Sequence, residues 1–325
     1  MDKNTLRDIV EQATLAPSIH NTQPWRFVTH QQTIELWTDP SRGLDVLDPT
    51  GRARHISCGA ALLHARLAAA AAGHATSVQL LPNPAEPTHL ADIRLDMAAP
   101  PAAERVLARA IPLRHTSREP FSGKPVPDAT VRALQHAAAA ENAWLQSVGP
   151  QDATAVAVLQ AHADDIESAN PRYIKELRHW TQSDGAARDG VPEAAVPATP
   201  PAERGSNIRL RDFVADRERF VVRHREQPPV VERPLIMVLG TDDDDHRAWV
   251  EAGQALGRVL LEATVHGVQV SPLTQALEVP FTRARLGAEL GIIGHPQMLL
   301  RIGHGGGGVA SPRRSVADVL TQRVS

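Results

Sequence analysis

The sequence predicts an α+β protein made of two diverged halves, roughly residues 1–110 and 111–325, fused into one polypeptide. A glycine-bracketed apolar helix that occurs twice is the main observation behind this. Cys58-Gly59-Ala60-Ala61-Leu62-Leu63 runs on to Gly73-His74, and Ala252-Gly253-Gln254-Ala255-Leu256-Gly257 runs on to His266-Gly267; the bracketing glycines are 14 residues apart in both copies. Strand-like runs follow each copy, at 76–81 and 268–271, and further strands at 33–37 and 234–239 precede them. Each half also begins alike, with an amphipathic helix (6–12 and 131–136) leading to an apolar strand (25–28 and 144–148). Helices and strands thus alternate in the same order twice.

Each repeated element has a local reason. The second glycine of each pair suits a helix C-cap, where a left-handed conformation costs glycine nothing, and the first suits close helix packing. Near the end of the chain, 282–290 reads as a helix and 297–303 as an apolar strand. Four consecutive aspartates, Asp242 to Asp245, lead into the second glycine helix, where acidic caps complement the helix dipole; a metal cluster is the weaker alternative. The region 159–225 breaks the repeat with a charged helix over 170–180 and a Gly/Pro/Ala-rich stretch over 184–205. A connection of that length reads either as a lid or as a disordered linker.

Composition limits the function. The formal charge of −3, from 34 basic and 37 acidic residues, argues against nucleic acid or an anionic membrane as a bulk partner. Aromatic residues make up only 3% of the chain and Tyr173 is its one tyrosine, which gives little support to base stacking. Cys58 is the sole cysteine, so neither an intramolecular disulfide nor a cysteine metal cage can form; in the glycine helix it reads as a small buried side chain. The 15 histidines include no H-E-x-x-H pair, and no metal site is expected. With 42% hydrophobic residues but no membrane-length apolar run and no leader-like start, the expectation is a soluble, cytoplasmic protein.

The richest segment for function is Leu15-Ala16-Pro17-Ser18-Ile19-His20-Asn21-Thr22-Gln23-Pro24-Trp25-Arg26-Phe27, between the first helix and the first strand. Pro17 and Pro24 stiffen it, while Ser18, Asn21 and Gln23 offer hydroxyl and amide groups able to read the edge of a flat polar heterocycle. The second half begins with Arg114-His115-Thr116-Ser117-Arg118-Glu119-Pro120-Phe121, and nothing like it precedes the first helix. Two arginines and two hydroxyls within five residues, read as standing immediately before a helix, can hold a phosphate by charge-assisted bonds.

Residues 16–25 resemble the A-P-S-x-x-N-x-Q-P-W segment of the flavin-dependent nitroreductase superfamily, and 114–121 is similar to the R-[RH]-[ST]-x-[RK]-x-F element that begins ordinary members. The doubled chain looks like the Acg-type nitroreductase-like family, in which two subunits of an ordinary dimer correspond to one polypeptide. The resemblance implies a nitroreductase-like fold, a single-chain pseudo-dimer that is monomeric or associates into a further homodimer, and FMN as cofactor. One site of the usual two is expected to survive, because only the first half carries the A-P-S loop. FMN contacts are implied for Pro17, Ser18, Asn21 and Gln23 on one wall and for Arg114, His115, Thr116 and Arg118 on the other. Arg118 would lie by flavin N1 and O2, and no dedicated catalytic residue is expected because the chemistry resides on FMN. Ser271, Leu273 and Thr274 would contribute the wall near N5, or else form a capped turn. Arg313 and Arg314, after the last strand and a glycine run at 305–308, would close on the phosphate or lie in a solvated tail.

Two activities follow from the resemblance. One is NAD(P)H-dependent two-electron reduction of a nitroaromatic or quinone; the other is FMN storage with little turnover. A dinucleotide-binding dehydrogenase is set aside because no G-x-G-x-x-G follows a strand.

Overall fold

The computed structural model describes residues 3–182, 186–196, 211, 213 and 234–323. The first half comprises α1 (Lys3–Thr14), β1 (Trp25–His30), β2 (Thr33–Thr38), α2 (Arg52–Ala71), β3 (Ala75–Leu80) and β4 (His89–Asp96), followed by α3 (Ala102–Ala108). The second opens with α4 (Asp128–Ala139) and β5 (Trp144–Ser147), then inserts α5 (Ala153–Ser168), α6 (Pro171–His179) and a two-stranded pair, β6 (Thr181–Gln182) and β7 (Val191–Pro192). It resumes with β8 (Leu235–Thr241), α7 (His246–Val265), β9 (Gln269–Leu273), α8 (Gln275–Glu278), α9 (Pro280–Glu289) and β10 (His295–Gly303). A short helix, α10 (Val316–Val319), and β11 (Leu320–Gln322) follow.

Two sheets result, ordered β11-β1-β2-β4-β3 and β5-β8-β10-β9. Setting β11 aside, both sheets pair their own strands in the order first, second, fourth, third, and every one of those pairings is antiparallel. The same sequence-to-space map therefore appears twice. The tail crosses over: β11 runs parallel to β1, with Phe27 opposite Leu320, so residues at the end of the second half complete the sheet of the first.

The elements form where their side chains can be buried. On α1, Leu6, Ile9, Val10 and Ala13 share one buried face at helical spacing. On β1, Trp25 and Phe27 are buried while Arg26 between them is exposed, the period of a strand with one covered face. Asp245 caps α7, its side chain accepting from Ala248 N at 2.9 Å. The two long helices α2 and α7 cross at glycines: a Cβ on Gly59 would lie 2.1 Å from Val250 O, and one on Gly253 2.1 Å from Ile56 O. The Cα of each glycine lies under 3 Å from the Cβ its partner lacks, so the backbones touch directly. Gly73 (φ 93°) and Gly267 (φ 68°) lie just beyond the two helix ends in left-handed conformation.

Three details depart from the sequence reading. The 114–118 element does not stand immediately before a helix, for α4 begins only at Asp128; Pro120, Pro125 and Pro127 keep the intervening chain out of helical geometry. The helical part of the insertion begins at Ala153, upstream of 159. Strand β4, unread in the sequence, lies between β2 and β3 in its sheet and carries Leu90, Ile93 and Leu95 into the core. No helix among the described residues is long and apolar enough to cross a membrane.

Candidate functional site

After α1 the chain turns sharply through a 3-10 segment at Ile19–Asn21, with positive φ at His20 (45°), Asn21 (54°) and Gln23 (50°). The turn is held from inside and outside. Ser18 Oγ accepts from Gln23 N at 3.0 Å, and Ser57 Oγ on α2 accepts from Ile19 N at 3.0 Å. Asn21 Nδ2 donates to Gly190 O (2.9 Å) and Pro312 O (3.0 Å), and its Oδ1 accepts from Arg313 Nη1 (3.0 Å). Gln23 Nε2 donates to Arg188 O (2.9 Å), and its Oε1 accepts from Arg314 N (2.8 Å). Both amides thus clamp the loop between the inserted 188–190 segment and the C-terminal 312–314 segment.

Two adjoining cavities lie on the inner side of this loop, about 1010 and 750 Å³ with the solvent at their mouths included. Pro17, Ser18, Thr116 and Arg118 line both, so the A-P-S loop and the R-H-T-S-R element form their shared boundary.

The smaller cavity is electropositive. Asn21, Arg114, His115 and Arg313 line it. Arg114 is 6% exposed; among the described residues its hydrogen bonds are long ones at 3.5 Å to Thr116 Oγ1 and Leu15 O, and its Nε meets no partner. Burial, then Arg313 and Arg118, push its guanidinium down to about 9. Burial likewise brings Arg313 to about 10; its Nη atoms are spent on backbone and Asn21 oxygens, while its Nε has no partner among the described residues. Among the described residues no carboxylate contributes to either shift. A buried cation without a counter-charge is costly, and a bound anion would relieve that cost at Arg114.

The larger cavity has a different lining. Ser271 and Leu273 at the end of β9, with Thr274 just beyond, form one wall, and Arg52, Ala53 and Ile56 at the start of α2 form another. Arg52 is already engaged, donating to Gln297 O (2.7 Å) and Leu277 O (3.1 Å). The insertion supplies a third side through Arg211 and Phe213. Arg211 donates to Tyr173 Oη, to Thr274 Oγ1 (3.2 Å) and to Glu278, and lies 3.7 Å from Glu167. Burial, then Glu278, pushes the Glu167 carboxyl up. Burial opposes ionisation of Glu278 as well, but Arg211 beside it holds that carboxyl below its usual range. Arg211, with Glu278, Tyr173 and Thr274 around it, therefore fastens this edge of the cavity.

Of the residues singled out from sequence, eleven meet around these cavities. Gln23 and Arg314 do not line either one. Gln23 is fully buried within its clamp, and Arg314 turns outward to donate to Gln23 O (3.3 Å) and Asp318 O (2.8 Å). The 184–205 stretch expected to cover the site is described only at 186–196, and 184–185 and 197–205 lie outside the described residues. The described part lies against the outside of the loop, with Arg42 paired to Asp189, and Trp180 packs with Leu44, Leu47 and Tyr173. Cavity residues that sequence reading passed over are His20, Arg52, Arg211, Phe213 and Glu278. His20 occupies a variable position of the loop motif; the others carry no local pattern, and only the tertiary fold brings them together.

The chain matches the nitroreductase family model over residues 111–304, from the turn before the R-H-T-S-R element to the end of β10. It is 36% identical to the Mycobacterium tuberculosis protein named "Putative NAD(P)H nitroreductase Rv3131", over 93% of this chain and 86% of the relative. A second relative from that organism, "Putative NAD(P)H nitroreductase acg", is 31% identical over 98% of this chain and 96% of its own. The solved FMN-dependent nitroreductase NfnB from Mycobacterium smegmatis, in complex with NADPH, is similar over 67% of this chain and 96% of its own, at 22% identity and a TM-score of 0.41. With the family pattern across more than half of the chain and relatives alike along nearly all of it, this protein belongs to the nitroreductase family.

Proposed function

We propose that the chain binds one FMN across the two cavities and is an NAD(P)H-dependent oxidoreductase acting on nitroaromatics or quinones. The observation that carries this reading is the pair Arg114, buried, and Arg313, half-buried, whose Nε atoms both lack a partner among the described residues, beside an adjoining cavity with largely apolar walls. A phosphate on a short polar chain attached to a planar ring fits that division. Arg114 and Arg313, with His115 and Thr116 at the rim, would hold the phosphate, and Pro17 and Ser18 would seat the ring beside Arg118. Ser271, Leu273 and Thr274 would bound the ring's far side. FMN, when bound, supplies the two-electron chemistry between a nicotinamide and an oxidant. The protein's own part is binding, orientation and the exclusion of water.

The repeated strand order and the Gly59–Gly253 crossing support a further element of the proposal, that residues 1–110 and 111–325 are fused counterparts of two subunits. The joint origin of the site supports it too, since one wall comes from the first half and the other from the second.

FMN storage with little turnover is a second reading, favoured by one observation. Arg211 and Phe213 of the insertion stand at the larger cavity, and Arg211 is pinned there by Glu278 and Tyr173. Anaerobic mixing of the flavin-loaded protein with NADPH and with NADH separates the two. An oxidoreductase bleaches with at least one of them and is recoloured by a nitroaromatic or quinone. Bleaching by dithionite alone would overturn the oxidoreductase reading in favour of storage.

A further inference from the structure

His20 is the one buried side chain at the larger cavity whose ring nitrogens both lack a hydrogen-bond partner among the described residues. The residue is 6% exposed and its backbone is held at φ 45°, a conformation that histidine tolerates better than most residues but that remains uncommon. Asn21 N→Ser18 O (3.0 Å) and Thr22 N→Ile19 O (2.9 Å) close the turn around it, so the ring is aimed by the fold. Buried polar atoms left unsatisfied are rare, and together with backbone strain they mark places built for a ligand.

Resting on the reading above, we propose that His20 anchors the oxidising substrate, its imidazole N–H donating to an oxygen of a flat nitro or quinone compound in the larger cavity. The surroundings suit an uncharged donor. Burial, then Arg211 and Arg118, push the ring down to about 3 against the opposing pull of Glu278, so it is neutral at pH 7 and carries one N–H. Phe213 meets the imidazole edge-on, with ring centroids 5.4 Å apart, and Arg118 lies over the same phenyl ring at 5.4 Å. An aromatic guest therefore finds an apolar face and a single neutral donor at one place. Unlike His64 on α2, whose ring nitrogens also lack partners among the described residues but which lines neither cavity, His20 faces the larger cavity.

The test is calorimetric titration of nitrobenzene and of toluene, which has the ring but no acceptor oxygen, into the purified oxidised protein whatever its flavin content. His20→Leu removes the donor, while His20→Asn keeps one and tolerates the left-handed backbone. The expected result is that His20→Leu weakens nitrobenzene about 3- to 10-fold without weakening toluene, that His20→Asn restores most of the loss, and that FMN affinity moves less than about 2-fold. The imidazole ¹⁵N–H resonance of His20 should also shift on adding nitrobenzene and not on adding toluene. Equal loss of both probes would make His20 a packing residue, and a parallel loss of FMN would make it a cofactor contact; either overturns the proposal, as does an unmoved resonance. A protein that takes up no FMN at all would defeat the cofactor reading separately, and the nitrobenzene–toluene comparison would still decide the role of His20.

Discussion

At the scale of single residues, the two walls of the site do different work. Asn21 and Gln23 look in sequence like groups that read a heterocycle, and Gln23 in the structure spends its amide entirely on the chain, joining the loop to 188 and 314. Arg114 is the reverse: among the described residues its guanidinium makes long contacts and its Nε has no partner, in a buried, positively charged place. Arg313 and Arg314 are adjacent in sequence, yet one lines the smaller cavity and the other faces outward. Arg114→Ala is accordingly expected to weaken FMN binding by about 1.5–3 kcal/mol, roughly 10- to 150-fold, the range for hydrogen bonds to a charged partner. Arg314→Ala should cost well under half of that. Fluorescence titration of FMN into flavin-stripped protein measures both, and equal losses would mean that the cation pair is not on the phosphate. The division between neighbours was not legible in the sequence, because a residue's direction after a glycine run is set by what the loop meets in space.

Among elements, α2 and α7 touch backbone to backbone at glycines, with Leu63, Leu67 and Leu261 packed farther along the same crossing. The 14-residue spacing made the repeat readable, and glycine's absent Cβ made the close approach readable with it. What sequence could not supply was the partner: that Gly59 meets Gly253 follows from packing alone. Gly59→Ala places a methyl carbon 2.1 Å from Val250 O and 2.9 Å from Gly253 Cα, so the helices must part. Overpacking of this kind typically costs about 1–3 kcal/mol, which should lower the thermal midpoint by several degrees at ~2–4 °C per kcal/mol. Gly287→Ala on α9 is the control, since its Cβ would meet nothing within 4 Å, and the helix should gain about 0.5–1 kcal/mol. A scanning thermal melt compares them; an unchanged midpoint for Gly59→Ala would mean the crossing is not tightly packed. Strand β4 and helix α5 went unread for a related reason. The alternation in His89–Asp96 is interrupted by alanine, and α5 is apolar on several sides, so neither has the period that marks its neighbours.

For the whole molecule, the decisive property is asymmetry between two similar halves. Both sheets share one strand order, but only the first half carries the Pro17–Gln23 loop and only the second carries the 114–118 element. The two segments border the same pair of cavities, and the connection between α4 and β5, 140–143, is a short turn through Asn142 at φ 58°. The repeated strand order was legible in the sequence through the glycine spacing, and the two segments that border both cavities through their motif composition. The insertion's part was not, since Arg211 and Phe213 reach the cavity from a segment with no repeat to align it. Extraction and quantitation of flavin from the purified protein, titrated to saturation with FMN, tests the central claim most directly. The account predicts FMN at one per chain; two per chain, FAD in its place, or no uptake of FMN would contradict it.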